Sequence, residues 1–149
     1  MNQERYEDVQ NTPNFQVFTF ISKGRHGDLI KIAHFDEIDN STFNLALGTI
    51  HKDGTIDYDT TTNNGDRNKI LVTVARIIYL FTEKHPGKDV FIRGSDYRRN
   101  LLYQRAISYA YDELNEAFNI YGGISTESDE YEPFNKNNNY SGFLIERKS

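Results

Sequence analysis

The stretch from Asp66 to Tyr121 constrains the fold more than any other part of the chain. Ile70, Leu71, Val74, Ile77, Ile78 and Phe81 recur at the spacing of one helix face. Asn63-Asn64-Gly65-Asp66 precedes them. Asn and Asp side chains accept hydrogen bonds from free first-turn N–H groups, so a helix is expected to start there. Lys84 and His85 suit the negative end of the helix dipole, and Pro86-Gly87 stops the helix. Val90, Phe91 and Ile92 form an apolar run too short for a helix, which predicts a strand covered on both faces. Gly94-Ser95 ends that strand. Tyr103, Ile107, Ala110, Leu114, Phe118 and Tyr121 return to helical spacing. They predict a second long helix reaching Tyr121, with Gly122-Gly123 as its stop.

Two amphipathic helices need an apolar layer to cover, and the preceding residues supply one. Phe15 to Ser22 is aromatic and β-branched and reads as a strand. Lys23 to Asp28, with two glycines, turns the chain into a second strand, Leu29 to Phe35. Phe43, Leu45 and Leu47 alternate with Asn44, Ala46 and Gly48 in a half-buried third strand. Asp53-Gly54 signals a hairpin into a short fourth strand carrying Ile56 and Tyr58. Residues 1–13 are expected to be loose. Residues 124–139 read as a long polar loop, ordered in part by Tyr131 and Phe134, and 140–147 as a closing strand. The expected fold is one α+β domain over residues 1–149. It has a mainly antiparallel sheet with two long helices packed on it, in the order βββ(β)αβαβ.

Several local motifs resemble a known family. They are Phe43-Asn44-Leu45, Thr62-Asn63-Asn64-Gly65-Asp66, Gly94-Ser95 with Arg99 and Leu102-Tyr103, Pro133-Phe134, and Asn139-Tyr140 with Phe143-Leu144. In this order they resemble a family of small bacterial proteins catalogued only as a domain of unknown function. The resemblance runs from about Phe15 to Arg147 and implies a shared fold without an assigned activity. The family pattern Gly-Ser-Thr-x-x-Arg-x-Arg-Leu-Tyr is altered here, with Asp96 at the Thr place and Leu101 at the second Arg place.

Charge and composition narrow the function classes. The net charge of −5 disfavours broad nucleic-acid binding. Charge is nevertheless uneven, with six Lys/Arg against two acids from Lys84 to Arg105, and seven acids without a base from 106 to 135. The chain has no cysteine, which removes disulfide and thiolate chemistry and fits a reducing compartment. No apolar run approaches the ~20 residues that span a bilayer. A cytoplasmic protein without membrane contact is expected. His26, His34, His51 and His85 are scattered without metal-ligand spacing, so neither a metal nor a cofactor is expected. The strand order also fits a ribonuclease H-like nuclease, but the first strand lacks the carboxylate that two-metal chemistry requires.

The candidate ligand-binding residues are Gly94, Ser95, Tyr97, Arg98 and Arg99. A helix starting after Gly-Ser presents free N–H groups at its positive end, and arginines there can hold a phosphate or carboxylate. Tyr97 would stack on a base or cover the site. The plainer alternative makes Ser95 or Asp96 the helix cap, with Asp96 in the anion position. Asn63, Asn64 and Asp66 are a candidate cleft, against the plainer role of turn and cap. Arg93 and Arg105 extend a candidate basic patch. No catalytic residue is assigned. The first functional reading is a non-enzymatic module binding a protein partner or an anionic ligand at the Gly94 corner. The second is a nucleic-acid-associated protein using the basic patch from Lys84 to Arg105. The third is an enzyme with a site between 63–66 and 94–99.

Overall fold

The computed structural model describes residues 4–58, 64–94, 96–124 and 130–148. The chain opens with β1 (Gln10–Asn11), β2 (Val17–Gly24), β3 (Gly27–Glu37), β4 (Thr42–Ile50) and β5 (Ile56–Asp57). Helix α1 (Arg67–Lys84), strand β6 (Asp89–Ile92) and helices α2 (Tyr97–Tyr109) and α3 (Tyr111–Ala117) follow. Strands β7 (Phe118–Gly123), β8 (Tyr131–Pro133) and β9 (Gly142–Arg147) complete the described chain. The sheet order is β1-β2-β3-β4-β6-β9-β7-β8, with β5 beside β4. Pairing among the described strands is antiparallel except between β4 and β6, which β5 and α1 separate along the chain. The architecture is the expected α+β class, and no helix among the described residues is long and apolar enough to cross a membrane.

The apolar stripe of α1 does what its spacing predicts. Val74, Ile77, Ile78 and Phe81 are buried in one core with Phe18, Phe35, Phe43 and Leu45 of the sheet. Phe81 stacks on Phe35 with ring centroids 4.0 Å apart. Burying each such side chain contributes about 2 kcal/mol relative to leaving it in water. The helix stops at His85, whose N–H bonds the Phe81 carbonyl, and Gly87 takes a φ of +81° in the turn that follows. In β6, Val90 and Ile92 are buried, while Phe91 on the opposite face is only half-buried, so the strand is less covered than its apolar run suggests.

The second helix differs from its expected extent. It breaks at Ala110 and ends at Ala117, and Phe118 and Tyr121 belong to β7. Their helical spacing from Leu114 coincides with a local alternation of period two, in which Phe118 and Ile120 face the core while Asn119 and Tyr121 are half-buried. Pairing with β9 then decides in favour of a strand. Gly122 is no helix stop. A Cβ there would lie 2.3 Å from the Tyr140 ring, which rests on the bare backbone.

The two segments expected to be irregular are partly paired. Residues 4–13 hold β1 and Tyr6, whose ring stacks on Phe20 at 5.7 Å. Its N–H donates to Thr73 Oγ1 of α1 at 2.8 Å. Within 124–139, β8 pairs with β7.

One irregularity positions the site. On the edge of β4 away from β3, β6 pairs with Thr42–Asn44 and β5 with Thr49–Ile50. Among the described residues, none pairs with 45–48 on that edge. Both α1 and α2 begin beside this gap, at the C-terminal ends of the parallel strands β4 and β6.

Candidate functional site

The start of α2 is capped by its own side chain. Asp96 is its N-cap, and its carboxylate Oδ1 accepts from the Arg99 N–H at 2.9 Å. The Gly94 N–H donates to Asn100 Oδ1 at 2.7 Å, and Asn100 Nδ2 donates to the Ser141 carbonyl at 3.0 Å. A Cβ on Gly94 would sit 2.5 Å from Arg99 Cβ and 2.6 Å from the Asn100 nitrogen, so glycine is needed for close approach. Side chains of this corner thus take up the Gly94 and Arg99 N–H groups. Ser95 lies outside the described residues. Tyr97 is 65% exposed, and Arg93, Arg98 and Arg105 are also exposed. Arg105 lines a recess with Gln104 and Lys136, whereas Arg99 turns to the opposite cleft.

The start of α1 is arranged differently. Asp66 is the N-cap residue but makes no side-chain cap bond. Its Oδ2 accepts instead from the Tyr6 hydroxyl and from Ser22 Oγ, the latter at 2.6 Å. Its Oδ1 is buried and has no hydrogen-bond partner among the described residues. Burial raises the Tyr6 pKa, and the bond to Asp66 raises it further, so this phenol stays protonated as the donor. The first turn of α1 contains no acid, and Arg67 and Lys69 belong to it. Neighbouring Asn64 is buried and fully engaged. Its Nδ2 donates to Ser22 Oγ at 3.0 Å and to the Gly27 carbonyl at 3.1 Å, and its Oδ1 accepts from the His26 N–H at 2.6 Å. Asn64 therefore clamps the β2–β3 hairpin to the start of α1. Asn63 lies outside the described residues.

Between the two helix starts and the sheet lies a cleft of about 590 Å³. Asn64, Asp66 and Arg99 all line it, so the structure brings together two of the separate groups that the sequence singles out. It adds residues without a local sequence signal. Lys31 of β3 donates from Nζ to Thr49 Oγ1 of β4 at 2.8 Å, and both line the cleft. Burial holds the Lys31 ammonium below the ordinary lysine pKa. Asp66 and Asp57 oppose that shift, and the Arg99 guanidinium reinforces it. Among the described residues, no acid lies within ion-pair distance of Arg99. The remaining lining combines Glu4, Arg67, Asn68 and Lys69 with an apolar part that includes Leu47, Leu71, Val74, Leu102 and Tyr103. Burial raises the Tyr103 pKa, with Arg99 pulling the other way.

The architecture defines a class: a small α+β domain in which two helix starts flank a mixed polar and apolar cleft beside the parallel pair β4 and β6. The chain belongs to the Family of unknown function (DUF6934), whose model matches residues 2–148. No curated protein and no solved structure matches it.

Proposed function

We propose that the protein is a binding module for a small anionic ligand, held in the cleft between the starts of α1 and α2. The observation that carries this reading is the convergence of Lys31 from the sheet and Arg99 from α2 on one cleft. They meet beside a helix start whose cap residue is drawn away. Among the described residues no acid lies within ion-pair distance of Arg99, so an anion in the cleft would gain a charge-assisted bond from its guanidinium. The first turn of α1, basic and free of acids, favours the same charge. Binding is better supported than chemistry, because Ser22 and the Asp66 Oδ2 are engaged with each other and with Tyr6 and Asn64.

The test is a titration of the full chain with phosphate and with acetate at low salt, followed by backbone amide shifts. Shifts are expected at residues 31, 49, 66–69 and 99, and they should disappear in Arg99→Gln. Shifts spread over all surface bases, or none, would remove the proposal. Tight oligonucleotide binding lost in Arg93→Gln/Arg105→Gln and kept in Arg99→Gln would instead assign function to the outer basic surface.

A further inference from the structure

The helices cover one face of the sheet. Phe18 and Phe20, Ala33 and Phe35, and Phe43 and Leu45 are buried with α1 in the core. Side chains alternate along a strand, so the residues between these point away from the helices. On that outer face the register lines up four isoleucines. Ile21 of β2 pairs with Ile30 of β3, Ile30 with Ile50 of β4, and Ile50 with Ile56 of β5. One side chain is thus repeated in a row across four strands. Ile21, Ile30 and Ile56 are 45%, 43% and 44% exposed, and Ile50 is half-buried. The next row inward is closed by comparison. Ile32 is buried, and the Tyr58 ring lies over its partner Gly48, where a Cβ would sit 2.8 Å from the ring. Tyr58 itself stays exposed and extends the apolar surface beside the row.

A contiguous apolar surface of this kind is uncommon on a chain that works alone. Its size, its shape and its charge all fit a second copy of the same chain. Strands β2, β3 and β4 are 8, 11 and 9 residues long. At ~4.8 Å between strands and ~3.4 Å per residue, their outer face with β5 spans about 500 Å², and two such faces bury about 1,000 Å², the size of a weak, reversible dimer. A row of identical side chains is its own complement, because a two-fold axis along the row sets each isoleucine against its own copy. At the hairpin end of the row Lys23 and Asp28 are cross-strand partners of opposite sign. A second copy therefore meets no net charge at this rim, although the whole chain carries −5. We infer that the outer face of β2–β5 is the interface of a weak homodimer, with two sheets stacked face to face and the isoleucine rows in contact. Sheets packed in this way lie about 10 Å apart, and removal of the row from water drives the association. The cleft lies on the helix side of the sheet, so dimerisation leaves it open.

The experiment is sedimentation equilibrium of the full chain from micromolar to millimolar concentration, with isoleucine methyl spectra over the same range. Wild type is expected to pass from monomer to dimer, with methyl shifts confined to Ile21, Ile30, Ile50 and Ile56. Ile30→Lys sets two charges in the interface and should weaken association by more than about tenfold. Ile30→Thr keeps the β-branched shape that suits a strand and should weaken it by less, which separates loss of contact from loss of fold. Tyr97→Lys removes an exposed ring at the start of α2 and should leave association unchanged. A wild-type chain that stays monomeric, with unmoved isoleucine methyls, would overturn the inference. So would a dimer of equal affinity in wild type, Ile30→Lys and Ile30→Thr. Binding of a monomer to phosphatidylcholine vesicles, lost in Ile30→Lys, would overturn it in favour of a lipid surface.

Discussion

The two helix starts sit at the same end of the same sheet and are finished in opposite ways. Asp96 turns its carboxylate back onto the first turn of α2, and Asn100 anchors the preceding backbone to the β9 side of the sheet. Asp66 occupies the equivalent position before α1, yet its carboxylate points to the far end of the chain, to Tyr6, and to Ser22 on β2. An aspartate next to a helix is therefore a cap only when nothing stronger competes for it. At α2 no described side chain competes for Asp96, and the local bond forms. At α1 a phenol and a buried hydroxyl compete for the carboxylate, and the helix start is left without a side-chain cap beside the cleft.

The contrast can be broken most severely at the glycine before α2. Gly94→Ala places a Cβ against backbone atoms that cannot yield without moving the first turn, so a loss of about 3 kcal/mol is expected in urea unfolding. Its counterpart Gly65 holds a φ of +85°, and its Cβ would meet only the Arg25 side chain at 3.6 Å. Gly65→Ala is therefore expected to cost about 1 kcal/mol, from backbone strain alone. Equal losses at the two sites would contradict the different reasons assigned to them.

The aspartates come next. Asp66→Ala leaves the buried Ser22 hydroxyl without its acceptor and releases Tyr6, for an expected loss of about 2 kcal/mol. Asp96→Ala removes a cap and is expected to cost about 1 kcal/mol. Only the first should alter anion binding, and it should strengthen it several-fold by removing a negative charge beside Lys31. A calorimetric titration with phosphate checks both. Unchanged affinity in Asp66→Ala would show that the carboxylate does not act on the cleft.

The smallest effect is on pH dependence. Lys31 has a folded-state pKa below its ordinary 10.5. Between the lowered value and 10.5 the unfolded chain binds more protons, so stability contributed by this group rises with pH across that window. A bound anion favours the charged lysine and narrows the window. Thermal melts on the alkaline side should therefore show a smaller pH slope with saturating phosphate than without it. A slope unaffected by phosphate and by Lys31→Met would assign the effect to another group.

Much of the frame could be read along the chain because its signals are local. The α1 stripe, its Pro-Gly stop and the alternation in β3 and β4 each lie within one element. The strand β7 was hidden because Phe118 and Tyr121 satisfy both periods, and only pairing with β9 distinguishes them. The site divides the same way. Arg99 and Asp66 are visible from the turns they adjoin, and the cap at Asp96 follows from its position. Lys31 is an ordinary lysine in a strand until the register places it opposite Thr49. The link between Tyr6 and Asp66 spans sixty positions and leaves no periodic trace. Tyr6 in turn keeps Glu4 within the lining of the cleft, in a segment whose composition reads as loose.

The Tyr6 hydroxyl bond gives the amino-terminal segment a thermodynamic share in the cleft. Whatever fills the cleft and draws on the Asp66 carboxylate must also shift the balance between an attached and a detached amino-terminal segment, and by reciprocity a detached segment must alter affinity by the same factor. Deleting residues 1–8 would then leave Ser22 as the one described competitor for the Asp66 carboxylate and favour its return to its own helix as an ordinary cap. To the extent that Asp66 returned to its helix, the two helix starts would be finished alike and the cleft would lose the carboxylate that now lines it.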